Sequence, residues 1–144
     1  MSSQSTEQVL CGAAGAMDLH VWTPDEPARS AVLLIQEIFG VGPYIRAVAE
    51  RLTAAGYMVG APDVFWRFAP NWEADHDQAG LTASLDKVAQ LDFPIAVSDL
   101  GSALLHLGQA PGLEQPPGFQ PGDRTGADVP SAIAAATVDM ATCV

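Results

Sequence analysis

Positive charge is scarce in this sequence. Of 144 residues only six are Lys or Arg, against 17 Asp and Glu, and the formal net charge is −11. The six cations, Arg29, Arg46, Arg51, Arg67, Lys87 and Arg124, are scattered along the chain. Nucleic acid and anionic membranes both select for clustered cations, so neither is expected as a partner. No Lys or Arg precedes Arg29, so the charged start of a secretory signal is missing. No apolar run reaches the ~18 residues that a membrane span needs. Cysteine is nearly absent: Cys11 and Cys143 lie at opposite ends and offer no disulfide framework. A soluble, cytoplasmic protein is the expectation.

What is present is a core. Hydrophobic residues make up 49% and charged residues 16%, the balance of a globular domain. Residues 8–12 and 17–22 read as two short strands around a turn at Gly15. Ala31-Val-Leu-Leu-Ile35 is a continuous apolar run between a loop and a glycine-rich turn, the mark of a strand buried on both faces. Pro43 suits the first turn of a helix whose Ile45, Val48, Ala49 and Leu52 share one face, and Gly56 suits its left-handed end. Residues 57–61 are a second buried strand, closed by Pro62-Asp63. Strand, helix and strand make one βαβ unit.

An aromatic loop with Phe65, Trp66, Phe68 and Trp72 follows. Two helices are then expected. One spans about 77–90, with Leu81, Leu85, Val88 and Ala89 on its packed side. The other spans 94–107, with Ala96, Leu100, Ala103, Leu104 and Leu107 together and Asp92 as its cap. Beyond residue 108 the chain turns rich in Pro and Gly, and apolar periodicity stops. Residues 131–136 and 138–141 are at most a short helix.

Gln36-Glu-Ile-Phe-Gly-Val41, placed directly after a buried strand, resembles the motif of the dienelactone hydrolase (carboxymethylenebutenolidase) family. Ile45-Arg46, Gly56-Tyr57, Ala61-Pro-Asp63, Phe65-Trp-Arg67, Leu91-Asp-Phe93 and Asp99-Leu100 follow in the family's order and spacing. The resemblance implies an α/β-hydrolase, here an incomplete three-layer αβα sheet over residues 7–108 with an irregular Pro/Gly-rich tail at 109–144. It implies hydrolysis of a lactone or carboxylic ester by a Cys-His-Asp triad, on a small-molecule ester or lactone, with no cofactor and no metal. Carried over by position, Glu37 modulates the nucleophile and the Ile38 backbone N–H belongs to the oxyanion hole. A carboxylate at the C-terminal edge of a parallel sheet lies where such sheets place their ligands.

The nucleophile is missing. A strand followed by Gly-x-Cys-x-Gly or Gly-x-Ser-x-Gly is needed, and neither motif occurs. Cys11 comes too early and Cys143 lacks the turn glycines. His20, His76 and His106 all precede the position of the family's base. Leu81 stands where the family often carries a substrate-binding arginine, so a substrate carboxylate lacks its partner. The chain is therefore expected to be catalytically incomplete and inactive on its own. The alternative is a non-catalytic truncated or frame-shifted product, or an interaction module that associates through an exposed sheet edge. Without a nucleophile strand, Ala31–Ile35 is expected to be an exposed sheet edge and a self-association site.

Other residues have plainer readings. Gly40-Val-Gly42 lacks the third glycine of a dinucleotide turn, with Ile45 in its place. Glu73, Asp75, His76 and Asp77 crowd together without a second His, a poor metal set. Arg67 is expected to pair with an acid, His106 to pack, Trp66, Phe68 and Trp72 to anchor a loop, and Cys11 to act as a small buried hydrophobe.

Overall fold

The structure is a computed structural model that describes residues 2–114 and the backbone of a strand at residues 133–137. Strands β1 (Ser3–Leu10) and β2 (Ala16–Thr23) form a hairpin across a single 3-10 turn at Gly12–Ala14. Then come β3 (Ala31–Ile35), helix α1 (Pro43–Ala54) and β4 (Met58–Pro62). Helices α2 (Gln78–Ala89) and α3 (Phe93–Gly108) follow, and β5 (Ile133–Thr137) completes a five-stranded sheet in the order β1-β2-β4-β3-β5. The β1/β2 and β2/β4 pairs are antiparallel; β3 is parallel to both β4 and β5. This mixed sheet with a helix layer on each side is an α/β-hydrolase half-sheet.

Alternation along the strands sorts the core into two layers. Leu19, Val21, Leu33 and Met58 face α3 and pack with Ala103 and Leu107. Trp22, Leu34, Val59 and Ala61 face the opposite side and pack with Ile45 and Ala49 of α1. Gly60 serves the first layer by having no side chain: a β-carbon there would sit 3.0 Å from Leu107 Cδ2.

Local chemistry fixes the helix ends. Pro43 opens α1, and Gly56, at φ +99°, follows its end. Asp77 caps α2 by accepting from the Gly80 N–H at 2.7 Å, and Asp92 caps α3 by accepting from Ile95 at 3.2 Å.

The structure departs from the sequence reading in four places. β1 starts at Ser3, well before residue 8, because a polar edge strand pairs through its backbone and leaves no hydrophobic alternation to read. In α2 the packed side holds Gly80 and Ser84, while Leu85 is exposed, since the helix meets its own preceding loop more than the sheet. Residues 133–137 are a strand, not a helix. That strand also corrects the expectation of a bare edge at Ala31–Ile35: Ala31 to Ile35 pair one-to-one with Ile133 to Thr137. Unpaired N–H and C=O groups along an apolar strand are costly, and a five-residue apolar partner satisfies them. The start of the expected irregular tail is also tied down, with Ala28 N–H donating to Gly112 and Glu114 N–H donating to Ala28, both at 2.8 Å. Among the described residues no single helix is long and apolar enough to cross a membrane.

Candidate active site at the strand exits

The segment Gln36–Gly40 leaves β3 at its C-terminal end, and each residue has a separate task. Gln36 is buried, and its Oε1 accepts from the Val64 N–H at 3.0 Å. That bond latches the exit of β3 to the exit of β4. Gly40 closes a tight turn, its N–H donating to the Glu37 carbonyl at 3.2 Å. It has φ +87°, and a β-carbon on it would collide with the Trp72 carbonyl. Glycine is required twice over, by backbone and by space. The Ala74 N–H donates to the Phe39 carbonyl at 3.0 Å, so the loop after β4 is stitched along the motif.

Glu37 and Ile38 sit within this frame. The Glu37 side chain is only 4% exposed, and burial pushes its carboxyl above the ordinary glutamate value. It stands between two clefts. One, of about 290 Å³, is lined by Ile38, Phe65, Phe93, Val97 and Leu100, and Glu37 is the sole titratable group among its described lining residues. The other, of about 230 Å³, is lined by Phe39, Tyr44, Asp75 and His76. Among the described residues the Ile38 N–H has no protein acceptor. His76 reaches Glu37, with Nε2 3.4 Å from Oε1. This partnership was not anticipated from the sequence, where His76 stood only in an acidic cluster. The signal was its place in a loop that must fold back over the motif glycine.

A second polar cluster anchors that loop. Arg67 grips Asp99 of α3 with two bonds, from Nε at 2.8 Å and Nη2 at 2.9 Å. The Trp66 indole N–H donates to the same carboxylate at 3.0 Å, and the guanidinium lies over the Trp66 ring at 4.6 Å. The bonds from Arg67, then those from Trp66, hold the Asp99 carboxyl below the ordinary aspartate range. Asp63, also buried, accepts from the Asn71 N–H at 2.7 Å. Trp72 donates to Ser84 at 3.4 Å, and Phe68 packs on Phe65 with centroids 5.5 Å apart. Arg67, Trp66, Phe68 and Trp72 thus all serve the loop, as their residue types suggested.

The chain matches the family model described as "Dienelactone hydrolase family" over residues 17–111. It belongs to the dienelactone hydrolase family. Carboxymethylenebutenolidase 1 of Cupriavidus pinatubonensis is 31% identical over 98 residues, covering 67% of this chain and 42% of that protein. Carboxymethylenebutenolidase of a Pseudomonas species is 28% identical over 98 residues, covering 67% of this chain and 41% of that protein. The chain therefore spans about two fifths of the length of the curated relatives it matches. Among solved structures, a dienelactone hydrolase-like promiscuous phosphotriesterase from metagenomic libraries superposes with a TM-score of 0.65 at 17% identity, over 94% of this chain and 48% of that one. Dienelactone hydrolase from Anabaena variabilis gives 0.55 at 19% identity, over 78% and 49%. These two establish the fold.

Among the described residues no Gly-x-Cys-x-Gly or Gly-x-Ser-x-Gly turn occurs. Cys11 is 7% exposed and packs in the α3-side core, where its thiol contacts the Val9 carbonyl at 3.6 Å. Burial, then the neighbouring Asp99, pushes that thiol up, the reverse of what a nucleophile needs. His106 is half-buried on α3, 3.5 Å from Glu7, and remote in chain and packing from the motif. His20 accompanies Thr6 on the β1–β2 hairpin at 3.2 Å. Cys143 lies outside the described residues. Glu73, Asp75, His76 and Asp77 do not converge: among the described residues no group of three or more His, Cys, Asp or Glu could hold a metal ion.

Proposed function

We propose that this chain supplies the oxyanion side of an ester- or lactone-hydrolysing site, and that the nucleophile and its base come from residues outside the matched region. The observation that carries this is the Gln36–Gly40 turn, which holds a buried carboxylate and, at the exit of the central parallel strand, an N–H without an acceptor among the described residues. In this reading the Ile38 N–H receives the developing oxyanion, a contact typically worth ~2.7–4 kcal/mol of barrier. Glu37 exchanges a proton with the resting nucleophile, which its raised carboxyl favours. A cysteine, a histidine and an aspartate complete the triad in the family pattern. No cofactor is needed for such chemistry. Cytoplasmic residence agrees with the acidic, patch-free composition.

The substrate is proposed as a neutral ester or lactone. The larger cleft beside Glu37 is lined by apolar side chains and holds no cation. Leu81 stands where an arginine would receive a substrate carboxylate. A carboxylate entering this cleft beside Glu37 would meet like charge, with no Lys or Arg among the described lining residues to offset it.

The test is a titration of the ¹⁵N-labelled chain with a small neutral lactone, followed by amide shifts. Shifts centred on Glu37, Ile38 and Phe39, and lost in Glu37→Ala, are expected. Shifts confined to other parts of the sheet would refute the assignment. With an activated ester, the chain alone is expected to show no burst and no thiol-dependent turnover. Turnover abolished by Cys143→Ala would place the nucleophile within this chain.

A further inference from the structure

We propose that His76 is the positioning residue of Glu37: it holds the carboxylate turned toward the cleft beneath the loop that follows β4. The inference rests on the reading of Glu37 as a site residue and adds the partner that governs it.

The geometry is over-determined. The His76 ring is set between two aromatics, Phe39 at 4.3 Å and Tyr44 at 6.2 Å between centroids. Its backbone is fixed on both sides. On one side the Ala74 N–H is bonded to the Phe39 carbonyl, beside a bridge between Glu73 and Gly40. On the other, Asp77 caps α2, with its carbonyl accepting from Leu81 at 2.8 Å. Gly80 lets this happen: a β-carbon on it would strike the Asp75 carbonyl, so the chain carrying His76 lies directly on the first turn of the helix. Two tilted ring contacts and both backbone neighbours restrain a side chain that is 37% exposed, and its Nε2 lies 3.4 Å from Glu37 Oε1.

Charge supports the same conclusion. A carboxylate that is 4% exposed beside an apolar cleft has strong reason to take up a proton. His76, 3.4 Å away, acts against this and draws the carboxyl back toward its ordinary range. The groups facing the pair are Tyr44 from α1 and Asp75 from the loop; no Lys or Arg lines that cleft. From the apolar side no titratable group faces Glu37. Among the described residues His76 is thus the basic side chain within reach of Glu37. The approach of 3.4 Å is longer than a short hydrogen bond, which leaves the carboxylate able to release this partner when another donor arrives.

The experiment uses the full chain labelled with ¹³C at the glutamate carboxyls. The Glu37 titration is followed in the wild type, in His76→Phe and in His76→Gln. Phenylalanine keeps the stack on Phe39 and Tyr44, so a ring that only packs would leave Glu37 unmoved. The expected result is an upward shift of the Glu37 midpoint in His76→Phe and a smaller one in His76→Gln, which retains a donor. An unchanged midpoint in folded His76→Phe overturns the proposal. Should that variant fail to fold, the wild type decides: the ¹⁵N shift of His76 Nε2 must show an inflection at the Glu37 midpoint that disappears in Glu37→Gln, and its absence overturns the proposal equally. The lactone titration is independent of both. Its failure with the coupling intact would sink the hydrolytic reading and leave the pair standing.

Discussion

The backbone carbonyl of Trp72 fills the space that a side chain on Gly40 would occupy. The loop after β4 and the turn after β3 are therefore one packed unit, and the glycine of the motif is the point where they touch. This relationship explains why Gln36, Glu37 and Ile38 can be held at the sheet edge without a helix of their own.

Gly40→Ala is expected to be severely destabilising. The left-handed backbone costs about 1–2 kcal/mol and the collision about 1–3 kcal/mol more. Gly56→Ala is the control, since that glycine also has positive φ but nothing within 4 Å of the added carbon. It should lose only the backbone part, about 1–2 kcal/mol. Urea midpoints of the two variants test the difference; equal losses would mean that the contact with Trp72 does not constrain the turn.

Glu37→Gln should change the pH dependence of stability with a definite sign. The folded carboxyl titrates above its ordinary value of 4.5. Its favourable contribution is complete below that value and is lost as pH rises through the raised one. Wild type should therefore fall progressively behind Glu37→Gln over that window and then run parallel. Unfolding free energies from about pH 4 to about pH 8 check this. A constant difference would show that burial does not perturb Glu37.

Asp99→Asn should act in the opposite direction. The Asp99 carboxyl is held below its ordinary value of 3.8, chiefly by Arg67. Its contribution is present above that value and fades as pH falls through the depressed one. The two proteins should differ at neutral pH and converge in acid. With Asp99→Leu the Trp66 indole also loses its acceptor, a loss of about 1–2 kcal/mol. Trp66 fluorescence and urea midpoints should move together.

Phe93 and Val97 are each 64% exposed on α3, beside the apolar cleft. Replacing both with Lys should change stability by no more than about 0.5 kcal/mol. If this face drives self-association, sedimentation velocity should show the wild-type chain associating more than the variant. Identical sedimentation would clear the face of that role.

Much of the fold was legible because its signals are local. Ala31–Ile35 is too apolar and too short for anything but a buried strand, and Pro43, Gly56, Asp77 and Asp92 mark helix ends by their own chemistry. Glu37 and Ile38 were legible only as parts of a motif placed after that strand. What escaped depended on long-range contact. β1 is polar and lies at an edge, so its first residues carry no pattern. Leu85 suits a packed helix face, yet tertiary context turns Ser84 inward instead. β5 pairs across a long stretch of sequence, and nothing within Ile133–Thr137 names β3 as its partner. The Glu37–His76 pair was invisible for the same reason: two residues far apart in sequence meet because a glycine lets one backbone lie on another.

The alternation of the two core layers has a consequence for how the chain tolerates change in length. Leu33 and Leu34, like Met58 and Val59, commit neighbouring side chains to opposite faces. A slip of one residue in β3 or β4 would send each of them to the wrong layer and misplace Trp22's packing partners at the same time. No intermediate register satisfies either side. Insertions and deletions should therefore be confined to the connections, and a single-residue deletion within Ala31–Ile35 should abolish folding outright, where the same deletion at the exposed Glu26 or Pro27 is absorbed.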